Sequence, residues 1–339
     1  MHHRFLVSVG MLAMFWLTST AATAQAPAAA PKASAAKGWT LARTPDGQPD
    51  LQGVWSNNNV TPLERPKQFG GRPYLTDEEL TTLKQRAAEL FAGDGDAAFG
   101  DALFETLLTD TKKFVSRDGR TGDYNQFWLV ERDWSNRTSL IMDPPDGRLP
   151  ALTPEGERRQ AAAAAARQRP AGGPEDRSLS ERCITFGVPR LQPAYNSYYQ
   201  IVQSPGYVAI TMETIHDTRI IPLDNRPHLP QDIRQWHGDP RGHWAGNTLV
   251  VETTNFSSKS DFRGAHENLR LVERFTRVGP DSLNNEMTVN DPTVWTRPWT
   301  AMIPLRRTTN LVYEYECHEG NTGLAGILAG ARADEKAAK

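Results

Sequence analysis

The sequence predicts a mainly β protein: an antiparallel barrel or sandwich in the C-terminal half, preceded by an irregular N-terminal part with one or two helices. Three observations carry this reading. Eight strand-like runs lie between residues 198 and 319. Turn signals such as Ser204-Pro205-Gly206 and Gly279-Pro280-Asp281-Ser282 separate them, as antiparallel hairpins require. No helix-length crossover comes between them, which argues against a parallel sheet.

The clearest run is 247–256, NTLVVETTNF. Gly246-Asn247 opens it as a turn, and Val250, Val251, Thr253 and Thr254 are β-branched residues suited to a pleated surface. It is expected near the middle of the sheet. The other runs are 198–203, 207–214, 218–224, 269–278, 283–291, 295–308 and 311–319. Residues 225–246 read as a long loop carrying His228, His237 and His243.

Upstream, His2, His3 and Arg4 precede an apolar run at 5–17, and Ala22-Thr23-Ala24 reads as a small-residue cleavage site. Residues 1–24 are therefore expected to be a signal peptide, and the Ala/Pro-rich 25–38 a disordered tether. No other segment approaches the length of a membrane span. The expectation is a periplasmic or secreted protein with no stable membrane insertion once the leader is cleaved. About 300 residues then remain, enough for one large domain or two small ones. Lys and Arg number 38 against 40 Asp and Glu, a net charge of −2, and losing Arg4 makes it one unit more negative. Such a balance gives no reason to expect nucleic acid or an anionic membrane as partner. Cys183 and Cys317 are the two cysteines. An even count in an exported chain predicts a disulfide.

The region 39–175 is expected to pack on a β domain at 176–322, with 323–339 a terminal helix or tail. Within it, Gly53 and Trp55 match the short G-x-W pattern found at the first strand of lipocalin-like barrels. Read from the residues alone, this is one short strand whose tryptophan plugs a core. Thr76 with Glu79 forms a capping box, and Leu80, Leu83, Ala87 and Leu90 follow at helical spacing, so 76–91 is a helix. Gly93-Asp94-Gly95-Asp96 lacks the ligand order of a calcium loop and reads as a solvated turn. Residues 127–130 and 139–142 read as short strands. Thr153-Pro154-Glu155 starts a second helix, which Pro170 and Gly172-Gly173 end.

Strand alternation sorts side chains by face. The apolar row Val208, Ile210, Met212 continues through Thr214 to His216. The row Leu269, Leu271, Phe275 contains Glu273. The row Trp295, Trp299, Ala301, Ile303 contains Arg297, and Leu249 and Val251 lead on to Thr253 and Asn255. A charge facing a core must be paired, so Glu273 is expected to pair with Arg297. His216, Glu273 and Arg297 are the candidate catalytic residues, and Thr253, Asn255, Trp295 and Trp299 the candidate ligand contacts. His237 and His243, with Asp239 between them, have neither helical nor strand ligand spacing. No metal and no cofactor are expected. No nucleophile elbow, phosphate loop or dinucleotide fingerprint is present.

Several long phrases, PDLQGVW at 49–55, SLIMDPPDGRLPALTPE at 139–155, QIVQSPGYVAI at 200–210, NTLVVETTNF at 247–256, LVERFTRV at 271–278, WTRPWTA at 295–301 and YEYECHEGN at 313–321, resemble a large family of exported bacterial proteins. The resemblance spans most of the chain beyond the leader, implies export, and carries over no activity and no catalytic residue. Three functions stay open: binding of a small apolar or mixed-polarity ligand in a barrel-like cavity; a hydrolase or lyase using His216, Glu273 and Arg297 there; or a structural or envelope-interaction protein. The oligomeric state is not legible.

Overall fold

The computed structural model describes residues 38–92, 100–109, 132–191 and 196–337. The segments expected to be a signal peptide (1–24) and tether (25–38, apart from Gly38), the expected turn at 93–96 and the expected strand at 127–130 lie outside the described residues. Among the described residues ten strands form one antiparallel sheet: β1 (Gly53–Ser56), β2 (Ile141–Asp143), β3 (Tyr198–Ser204), β4 (Tyr207–Met212), β5 (Thr218–Pro222), β6 (Asp239–Ala245), β7 (Thr248–Thr254), β8 (Arg270–Gly279), β9 (Ser282–Asn290) and β10 (Trp299–Thr308). Their hydrogen-bonded order is β5-β4-β3-β1-β10-β9-β8-β7-β6, with β2 pairing on β10. Among the described residues four α-helices accompany them: α1 (Asp77–Phe91), α2 (Gly100–Leu108), α3 (Pro154–Arg167) and α4 (Thr322–Ala337).

Alternation works as the residues require. Val208, Ile210 and Met212 on β4, Leu271, Glu273 and Phe275 on β8, and Trp299, Ala301, Ile303 and Leu305 on β10 are all buried, while their neighbours are more open. Each large apolar side chain taken fully from water contributes about 1.5–3 kcal/mol, so this inner face dominates the stability of the fold. The sheet rolls up strongly. Arg219 on the edge strand β5 reaches Thr253 on β7 and Glu273 on β8, at the other end of the strand order. The two edges meet without closing. At the seam β6 packs its Gly242 against β5, where a Cβ would lie 2.7 Å from Ile221 and Leu223. A larger residue at 242 would force β5 and β6 apart.

Four expectations need correction. The strand at 248–254 is next to the edge of the sheet, not near its middle. Its neighbour β6 falls inside what reads as loop. It contains Pro240, which a central strand would reject but an edge strand accepts, because its missing N–H needs no partner there. Residues 311–319, expected as a strand, form none; β10, which precedes them, already has β1 and β9 on its two sides. Finally, the sheet is not confined to 176–322. β1 is hydrogen-bonded between β3 and β10, so the N-terminal region completes the sheet as well as covering it. As expected, Trp55 is fully buried. Its Nε1 donates to Leu51 O at 2.9 Å, and Arg277 lies over the ring at 5.6 Å.

The helices follow their caps. Thr76 Oγ1 accepts from Glu79 N at 3.1 Å, and Thr76 N donates to Glu79 Oε2 at 2.8 Å. Thr153 Oγ1 accepts from Gly156 N at 3.0 Å and starts α3. Cys183 and Cys317 are bonded, with Cα atoms 5.6 Å apart. The bridge fastens the extended tail that follows β10.

The same tail leans on a buried carboxyl. Tyr313 N donates to Glu213 Oε1 at 3.1 Å, and Glu213 Oε2 is buried with no partner among the described residues. Burial pushes the Glu213 pKa up, and the Tyr313 N–H offsets this only in part. A folded-state pKa above the unfolded one means stability that is full below the unfolded value and lost as pH rises through the folded one. Glu213→Gln, which mimics the neutral acid, should therefore gain on the wild type as pH rises from about 4.5 towards neutrality. Urea unfolding of both proteins across that range checks this, and a pH-independent difference between them rules it out.

Candidate functional site

Inside the rolled sheet, Glu273 faces the core as expected, but its partner is Arg219 and not Arg297. Arg219 Nη2 donates to Glu273 Oε2 at 2.5 Å and to Thr253 Oγ1 at 3.2 Å, and Asn285 Nδ2 lies 3.4 Å from Glu273 Oε1. The two charged side chains are 4% and 2% exposed. Around them stand Tyr199, Ile210, Met212, Phe275, Met287 and Ile303, and the space open to water is about 20 Å³. That is roughly room for one water molecule. Among the described residues this cavity offers no room for a ligand larger than that.

The expected catalytic trio is not assembled. Arg297 is half-exposed and grips Asp143 on the surface at 2.8 Å. The reason is local. Asp291 O accepts from Val294 N and Trp295 N, which makes 291–295 a turn. With Pro298 next, β10 begins only at Trp299. His216 is exposed at a turn with φ of 44°, because the pleat of β4 ends at Met212. Among the candidate contacts, Thr253 stays inside on Arg219. Asn255 donates to the carbonyls of Leu229 and Pro230 at 2.9 Å, pinning the loop before β6. Trp295 and Trp299 are buried, 5.6 Å apart between ring centroids, with Phe262 stacked on Trp299 at 6.2 Å.

The open site lies at the seam instead. A cleft of about 630 Å³ is lined by the start of β5, the turn entering β6 and the segment after Cys183. Such a volume is typical of small-molecule pockets. Arg219 lines both this cleft and the inner cavity. Three side chains converge in it. Thr185 Oγ1 donates to Asp217 Oδ2 at 2.7 Å and lies 2.6 Å from His237 Nε2. His237 Nε2 is 3.3 Å from the same Asp217 oxygen. Each is positioned by its backbone. Thr185 follows the disulfide by two residues, and its Oγ1 accepts from Gly187 N at 2.8 Å. Asp217 O accepts from Met212 N at 2.8 Å, which closes the β4–β5 turn. His237 precedes Gly238, whose φ is +68° and where a Cβ would lie 2.5 Å from Thr254 O. Only glycine fits there.

Thr185 and Asp217 were not legible as site residues. They stand 32 positions apart, and His237 is 52 beyond Thr185, so no local pattern joins them. His237 itself was visible only as a metal candidate beside Asp239 and His243. Asp239 instead holds His228 Nδ1 at 3.0 Å and Leu229 N at 2.9 Å. Among the described residues, no group of three or more His, Cys, Asp or Glu could hold a metal ion. A second, larger cleft of about 840 Å³ runs beside Thr185 towards Phe262 and His266. Several of its charges are already paired, Arg177 with Glu181 and Arg182 with Glu175. Comparison with protein-family models and with curated proteins finds no match.

Proposed function

We propose that this is an exported protein that binds a small ligand of mixed polarity, held in the cleft between the two edge strands and not inside the rolled sheet. The contrast in volume carries the reading: about 630 Å³ at the seam against about 20 Å³ within. The lining suggests the ligand class. Trp236 and Ile220 are exposed apolar surfaces there. Arg234 donates to Glu267 O at 2.8 Å, and among the described residues it has no carboxylate partner. A flat apolar body carrying an anionic group suits that pair. The disulfide fits an oxidising compartment and supports export; among the described residues no helix is long and apolar enough to cross a membrane. The lipocalin-like view of the fold belongs to the same reading. Gly53 and Trp55 and the rolled antiparallel sheet support it, and the unclosed β5–β6 seam is its departure from that pattern.

Titration with 8-anilinonaphthalene-1-sulfonate, which has an aromatic body and a sulfonate, tests the reading. Saturable binding of one probe per chain is expected, weakened by salt because a charge takes part. Trp236→Ala should raise Kd about tenfold, about 1.4 kcal/mol. Absence of saturable binding would leave the structural or envelope-interaction reading.

A further inference from the structure

Resting on that reading of the cleft, we propose that it is also a catalytic site of the acid–base type, in which His237 Nδ1 is the general base, Asp217 the residue that orients it, and the substrate an anionic carboxylic ester.

The argument is an account of hydrogens. A threonine hydroxyl has one proton to give. Thr185 gives it to Asp217 Oδ2 at 2.7 Å while its oxygen accepts from Gly187 N. Towards His237 Nε2, 2.6 Å away, the hydroxyl offers only a lone pair. Nε2 must therefore carry the hydrogen, and the Asp217 carboxylate oxygen at 3.3 Å reinforces that tautomer. The other ring nitrogen, Nδ1, is left with its lone pair and has no partner among the described residues. It belongs to a ring that lines a cleft large enough for a substrate. Asp217 and Thr185 are both buried, so the pair that sets the tautomer is held firmly.

The same count excludes Thr185 as nucleophile, since its proton goes to a carboxylate and not to a base. Water is the attacking group. Its oxygen bonds to the ester carbonyl carbon as Nδ1 takes its proton, and the carbonyl electron pair moves onto oxygen. The tetrahedral species then collapses, the bond to the leaving oxygen breaks, and the imidazolium returns its proton to that oxygen. The products are a carboxylic acid and an alcohol, with no other reactant. Trp236 would hold the flat part of the substrate, and Arg234 its anionic group.

The test uses the full-length exported chain and 4-acetoxybenzoate, with neutral phenyl acetate as comparison. Saturable release of 4-hydroxybenzoate above the buffer rate is expected. His237→Gln should lower kcat/KM by roughly 10²–10⁴-fold. Asp217→Asn should lower kcat and move the acid limb of the pH profile, which a merely structural residue would not do. Arg234→Gln should raise KM for 4-acetoxybenzoate and not for phenyl acetate. Long-range proton–nitrogen NMR of the neutral imidazole should find Nδ1 bare. Wild-type turnover in His237→Gln, or a proton on Nδ1, overturns the proposal. So does the absence of turnover in a protein that still binds the sulfonate probe, which would leave the binding reading intact. Loss of both binding and turnover would reject the cleft altogether.

Discussion

Replacing Arg219 with methionine should lower the unfolding free energy by about 3–5 kcal/mol. Glu273 is 2% exposed in its side chain. Without the guanidinium its one remaining partner among the described residues is the Asn285 amide, at 3.4 Å, and a buried carboxylate with so little compensation is strongly destabilising. The double replacement Arg219→Met with Glu273→Leu should recover most of the loss, because the cost of desolvating both ions disappears together with their attraction. Urea unfolding of the two single variants and the double one gives the coupling energy. A single variant within about 1 kcal/mol of the wild type would mean that water reaches Glu273. The double variant is informative about the cleft as well, since Arg219 lines it. If the sulfonate probe still binds to the double variant, the guanidinium has no part in recognition.

Removing the disulfide should have an effect of similar size. The bridge joins residues 134 positions apart, and the chain-entropy model puts closure of so long a loop near the top of the usual range, about 2–5 kcal/mol. Cys183→Ala with Cys317→Ala is expected to lower Tm and to weaken probe binding, the second because Thr185 follows the bridge by two residues. Without the bridge the tail that rests on Glu213 and leads to α4 loses its covalent anchor. Thermal unfolding of the double variant beside the wild type, with the probe titration repeated on it, measures both effects. Equal Tm values would show that the tail is held by its packing alone.

The sequence by itself determined what depends on near neighbours. Period-2 alternation put Val208, Ile210 and Met212, then Leu271, Glu273 and Phe275, on buried faces, and the structure buries all of them. Capping chemistry placed the starts of α1 and α3 at Thr76 and Thr153. An even cysteine count anticipated the bond between Cys183 and Cys317. These features are set by backbone geometry within a few residues, or by a choice with one pairing available.

Only the tertiary structure decided which elements meet. The spacing of Trp295, Arg297 and Trp299 suits a strand, yet a turn organised by Asp291 and ended by Pro298 leaves Arg297 on the surface, while Arg219, from the far edge of the sheet, meets Glu273. β6 is a strand at the edge, where Pro240 is tolerated, and 311–319 is not one, although its pattern reads as a strand. Thr185, Asp217 and His237 come from three turns that share no period and no spacing rule. They converge because the sheet rolls until its two edges pack without hydrogen bonds, leaving the cleft at that seam. Such pairings follow from loop closure and from side-chain packing across the whole sheet, and neither is written in any local stretch of the chain.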